Sequence, residues 1–202
     1  GRRPSLTRMR IIAATAAAFF LFSASANAAP ACAPEDSAEL CALAAATLSD
    51  NPPFAQLRSE SQADAAARAQ RHAERRARTR ELLDALPAPN WRDLYRAGYI
   101  TGYGDTRDER LLAMAIAIRA LSLAPDEPDV RFLVAMTVDS VTRTYAGAQL
   151  YGRQKYFQFN PDTGATEIAC LPQMLDLPPT VGAAFHHVEG YPRCPVGVGE
   201  AH

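Results

Sequence analysis

The sequence predicts a mainly α protein, with a helical hairpin core, a small C-terminal β-hairpin and an irregular, disulfide-tied tail. Three observations carry this reading. Residues 54–86 contain no glycine or proline and are dense in alanine, arginine and glutamate, all good helix formers. Further on, Leu111, Met114, Ala115, Ile118 and Leu121 repeat at helical spacing between clear stop signals. After Gly147 the pattern changes to strand, turn, strand: Lys155 to Phe159 and Thr166 to Cys170 flank Asn160-Pro161-Asp162-Thr163-Gly164.

Taken in order, the elements are punctuated by local signals. Pro34-Glu35-Asp36 supplies a proline and acids suited to a helix start, and a short alanine- and leucine-rich helix follows from Ser37 to about Leu48. Asn51-Pro52-Pro53 breaks the chain. A long polar helix from Phe54 to Leu86 has few residues to bury, chiefly Leu57, Leu82, Leu83 and Leu86. Its charge-rich run around Arg71 to Arg80 reads as a solvated face, with an anion-binding strip as the alternative. Pro87-Ala88-Pro89-Asn90 is a stop followed by an N-cap, opening a third helix from Trp91 to Ile100 with Leu94, Tyr95 and Ile100 buried. Asp105-Thr106-Arg107-Asp108-Glu109 starts a fourth helix. Because Leu112, Ile116 and Leu123 lie off its main stripe, this helix is apolar on two sides and is expected at the centre of the fold. Pro125-Asp126-Glu127-Pro128 leads into a fifth, Asp129 to about Tyr145, packing through Leu133, Met136, Val138 and Val141. The last two helices form a tetratricopeptide-like pair, and no second copy at a 34-residue period makes it an array. From Pro172 onward, frequent proline and glycine predict an irregular tail.

The N-terminus predicts export. Gly1 to Arg10 holds four arginines and no acid, Ile11 to Phe22 is uncharged, and Ser23-Ala24-Ser25-Ala26-Asn27-Ala28 provides an A-x-A cleavage site. Residues 1–28 therefore read as a signal peptide, with Met9 a natural start, and 29–202 as a single α-rich domain. The uncharged run falls short of the roughly 20 apolar residues a membrane span needs, so the cleaved chain is not expected to span a membrane. Removing the leader takes away four of the 21 basic residues and none of the 22 acids, leaving a mildly acidic chain for which nucleic acid is an unsuitable partner. Cys32, Cys41, Cys170 and Cys194 all follow the cleavage site, an even count that suits an oxidising periplasmic or extracellular compartment. Four cysteines allow three pairings; locality favours Cys32 with Cys41 and Cys170 with Cys194.

The most specific polar cluster is Asp139, Arg143, Gln149, Tyr151, Gly152 and Gln154. Asp139 and Arg143 are four apart and share a helix face. In one reading these groups pair and satisfy backbone where helix passes to hairpin. In the other, Asp139, Arg143, Gln149, Tyr151 and Gln154 line a pocket for a polar ligand such as a peptide or cell-wall fragment. From Trp91 to Tyr156, Tyr103-Gly104-Asp105-Thr106, the Asp139-x-x-x-Arg143 helix and Gln149-Leu150-Tyr151-Gly152-Arg153-Gln154 together resemble the DUF6624 family of uncharacterised bacterial proteins. The resemblance implies no activity. Where members of that family often carry a histidine before the glycine, this chain has Tyr103.

His186, His187 and Glu189 are weak metal candidates, since adjacent histidines on a strand point to opposite faces, and no Cys-x-x-Cys spacing suggests zinc. No cofactor is expected. The sequence has no Gly-x-Ser-x-Gly elbow, His-Glu-x-x-His, phosphate loop or dinucleotide fingerprint. The function expected is a periplasmic or secreted binding or protein-interaction module, its partner a peptide, a protein or a cell-wall fragment. The alternative is a cell-envelope hydrolase acting through Asp139, Arg143 and Gln154.

Overall fold

The computed structural model describes residues 30–51 and 60–152, and the backbone of 156–159 and 166–170. The expected leader, the irregular tail, Gln154, His186, His187, Glu189 and Cys194 lie outside the described residues, and so does the expected Cys170–Cys194 bridge. The described chain is mainly α. Five helices, α1 (Ala38–Ser49), α2 (Gln62–Ala85), α3 (Trp91–Thr101), α4 (Arg107–Leu123) and α5 (Pro128–Ala146), precede an antiparallel pair, β1 (Tyr156–Phe159) and β2 (Thr166–Cys170). Phe157 pairs with Ile168 and Phe159 with Thr166, while Tyr156 pairs with Cys170, so the register slips by one residue beside Tyr156. No helix among the described residues is long and apolar enough to cross a membrane.

The helix starts are set by side chains that accept the first free amides. Ser37 accepts from Leu40, Ser61 from Asp64, and Asn90 from both Arg92 and Asp93. Thr106 and Glu109 form a reciprocal capping box at α4, and Pro128 occupies the first turn of α5. Gly147, at φ 65°, ends α5 in the left-handed conformation that glycine adopts without strain. The long polar helix is shorter than the composition suggests. It begins at Gln62, because Ser61 takes an extended conformation and caps it.

The centre of the fold is α3, not α4. Every residue from Asp93 to Thr101 is buried, and α3 packs against each of the other four helices. Leu94, Tyr95, Ala97 and Tyr99 join Leu40 of α1, Ala117 and Ala120 of α4, and Val130 and Leu133 of α5 in one core. The expected stripe on α4 is also turned. Ala113, Ile116, Ala117 and Ala120 face inward, while Ile118 is 48% exposed. Size explains the choice, because α4 must fit between α3 and α5 at close range. A Cβ at Gly98 of α3 would lie 3.7 Å from the Ala117 backbone nitrogen and 2.9 Å from Leu133 Cδ2. The small Ala117 admits that approach of its backbone, with Ile116 Cγ2 beside it at 3.5 Å. The α4–α5 pair is the expected helical hairpin.

A clasp binds the N-terminal segment to α3. The Arg96 side chain, 1% exposed, donates through Nη2 to the Pro30 and Ala31 carbonyls at 3.0 and 3.2 Å and pairs with the enclosed Asp36 carboxylate at 3.0 Å. Asp93 accepts the Ser37 amide at 2.8 Å, and the Asn90 amide reaches Asp36 at 3.0 Å. Burial alone would raise the Asp36 carboxyl, but the Ala33 amide, Asn90 and Arg96 together hold it below its ordinary range. Cys32 and Cys41 are bridged, with Cα atoms 6.2 Å apart, which closes the same segment onto α1. By chain entropy a loop of this length stabilises by about 2–3 kcal/mol. The double substitution Cys32→Ser and Cys41→Ser should therefore lower stability by about that amount in urea unfolding, with far-ultraviolet helicity retained.

Candidate functional site

Two polar regions could carry function. The first is the cluster singled out in the sequence. Asp139 lies in the penultimate turn of α5 with 0% exposure, and its Oδ1 accepts the backbone amides of Leu150 at 2.7 Å and Tyr151 at 2.6 Å. Ala148, Gln149 and Gly152 are buried around it. Gly147 and Gly152, both at positive φ, turn the chain out of α5 and then toward β1, so that 148–151 folds back on the carboxylate. Burial, and then the Asp139 charge, raise the Tyr151 hydroxyl above its ordinary range. Half-buried Arg143 sits in the last turn of α5, where its charge suits the helix dipole. The structure thus brings Asp139, Gln149 and Tyr151 together at the end of α5. Asp139 acts there as a buried anchor for the following loop.

The second region is one the sequence reading assigned to solvent. Arg68, His72, Arg76 and Thr79 of α2 are all buried, at the i, i+4, i+8 and i+11 positions of one face. The charged run is therefore in part an inward-facing seam. Its guanidiniums are matched by carboxylates from other segments. Arg68 pairs with Glu60 at 2.7 Å, Arg71 and Arg75 both hold Asp50 at the end of α1, and Arg76 reaches Glu109 at 2.8 Å and the Tyr103 carbonyl at 3.1 Å. Arg78 holds Glu39 of α1 at 2.6 Å. Hydrogen bonds from Arg71 and then Arg75 pull the Asp50 carboxyl down to about 2. With these acids in place the run is not an open anion-binding strip.

His72 lies at the middle of the seam. Its ring stacks on Tyr103 with centroids 5.1 Å apart and planes 17° from parallel, and the Tyr103 hydroxyl lies 3.1 Å from that of Tyr99. Both imidazole nitrogens are shielded from water and lack a hydrogen-bond partner, as do Arg75 Nη1 and Thr79 Oγ1. Burial, and next the charge of Arg75, lower the His72 pKa to about 4. No acid or hydroxyl is hydrogen-bonded to the ring, so no nucleophile and base are paired there. Among the described residues no three His, Cys, Asp or Glu side chains are grouped to hold a metal ion. The spacing of His72, Arg76 and Thr79 was visible as a helical stripe, but polar residue types pointed outward.

Gly104 ties the two ends of this region together. A Cβ there would fall 2.3 Å from Glu109 Cβ, so a side chain would displace the carboxylate that both caps α4 and receives Arg76. This gives Tyr103-Gly104-Asp105-Thr106 a structural reason.

If Asp139 is an anchor, Asp139→Ala leaves two amides without an acceptor and should cost about 2–4 kcal/mol in urea unfolding. Asp139→Asn keeps an acceptor oxygen and should cost about 1 kcal/mol. No family model matches the chain, and no curated protein or solved structure is significantly similar to it.

Proposed function

We propose that the protein is an exported binding or interaction module that works in the periplasm or outside the cell, with a peptide, a protein or a cell-wall fragment as its partner. The enclosure of the Asp139 carboxylate is the observation that supports a module over a hydrolase. A catalytic carboxylate needs room for substrate, and this one is fully enclosed and holds two backbone amides. The Cys32–Cys41 bridge supports the compartment, since structural disulfides persist where the surroundings are oxidising. The basic and apolar leader of residues 1–28 supports the same reading. The likeness of residues 91–156 to the DUF6624 family is part of the proposal and adds no activity to it.

Expression of the full chain in a Gram-negative host tests both halves. The intact mass of the periplasmic product should correspond to a chain starting at Ala29 with no free thiol. Affinity capture from periplasmic extract, analysed for proteins and small molecules, should return a partner that survives a salt wash. Retention of the leader in the cytoplasm with reduced cysteines contradicts the compartment. Hydrolysis of purified peptidoglycan that is lost in Arg143→Ala contradicts the module and restores the hydrolase.

A further inference from the structure

Helix α2 is attached to the rest of the fold unevenly. Its partly buried leucines, Leu82 and Leu83, lie in the last turn, with Leu86 just beyond, beside the Pro87-Ala88-Pro89 link to α3. From Gln62 to Thr79 its buried residues are all polar: Arg68, His72, Arg76 and Thr79. Apolar burial is the main source of lasting adhesion between elements, so among the described residues α2 has such adhesion at its C-terminal end only. The rest is held by guanidinium–carboxylate pairs and by the stack of His72 on Tyr103.

His72 is the group in this stretch least able to accept a charge. From α2 itself Arg68, Arg75 and Arg76 surround the ring, and they oppose its protonation. From α1 the carboxylate of Asp50 faces it, already bonded to Arg71 and Arg75. At the end of α3, Tyr103 covers one ring face and Tyr99 stands behind it, both neutral. From α4, Glu109 reaches the seam but is engaged by Arg76 and Thr106. An imidazolium would bring two N–H donors to positions where no acceptor meets either nitrogen.

We propose that α2 is an acid-released latch: protonation of His72 separates Gln62 to Thr79 from α1 and α3, while Leu82 and Leu83 keep the helix tethered. Release uncovers the Tyr99–Tyr103 face of α3. The inference stands on the packing of α2 and does not depend on the binding-module reading.

The direction and window follow from linkage. His72 has a pKa of about 4 when latched and returns to its ordinary 6.5 when released, so the released state takes up more protons between those values. The latch is fully engaged above pH 6.5 and weakens as pH falls toward 4. Asp50 and Glu109 are held below the ordinary carboxylate range and stay charged through most of this window. Between pH 7 and pH 5 the opening equilibrium of α2 should rise roughly 20-fold.

Hydrogen–deuterium exchange, corrected for the intrinsic pH dependence of amide exchange, tests this on the wild type and on His72→Phe, which keeps the stack and removes the titration. The expected result is a rise of roughly 20-fold confined to residues 62–79 in the wild type and absent in the variant. A wild-type α2 whose protection is unchanged at pH 5 overturns the proposal. So does an equal rise in His72→Phe, or simultaneous loss of protection in α3, α4 and α5. If the variant does not fold, proton NMR of the wild type decides: loss of the Tyr103 ring-current shift on His72 as the ring titrates below 6.5 supports the latch, and titration with that shift kept, or titration near 6.5, overturns it.

Discussion

The described fold depends on one buried cation. Arg96 stands in α3, the helix that every other helix touches, and its guanidinium meets Asp36 and two backbone carbonyls of a segment about sixty residues earlier in the chain. Without it the N-terminal segment would have little to adhere to, since that segment is short and Ala31, Cys32, Pro34 and Glu35 are exposed. With it, Ser37 is positioned to cap α1, Asp93 receives the Ser37 amide, and the Cys32–Cys41 bridge closes on a preformed loop. A buried ion pair adds little net stability compared with a well-packed apolar pair, but removing one member leaves a desolvated charge. Arg96 and Asp36 therefore specify where the chain must go more than they glue it there.

The same logic recurs around α2, at larger scale and with less support. Asp50, Glu60 and Glu109 each take a guanidinium from this helix, and Glu109 also caps α4, so the seam is a set of linked charges in place of an apolar interface. Such a seam is directional and sensitive to its surroundings. Oily contacts barely respond to protons, whereas paired charges and a buried imidazole do. The protein therefore combines an apolar core centred on α3 with a polar seam along α2. At the end of α5, Asp139 holds the 148–151 loop through two backbone amides.

What could be read in the sequence were the features encoded by neighbouring residues. Asn90, Thr106 with Glu109, Pro128 and Gly147 act within one turn of their own position, and the helix limits they imply are close to those observed. The pairing of Cys32 with Cys41 was legible for the same reason. Features set by distant segments were not. Leu111, Met114 and Ile118 have the spacing of a core stripe, but the face of α4 turned inward is that of Ala113, Ile116, Ala117 and Ala120, with Ile116 and Ala117 beside Gly98. Arg76 and His72 look like surface residues until Glu109 and Tyr103 are brought to them from beyond the next helix. Asp139 and Gln149 were visible as a polar cluster; their burial needed the fold of the loop after Gly147.

The central claim is that the buried pair between Arg96 and Asp36 organises the fold. A double-mutant cycle with Arg96→Met and Asp36→Leu, read by urea unfolding, tests it most directly. The account predicts that Arg96→Met alone costs about 3–5 kcal/mol, because Asp36 is left buried and unpaired, and that the double substitution costs far less than the two singles added together. Two small, additive losses would contradict it.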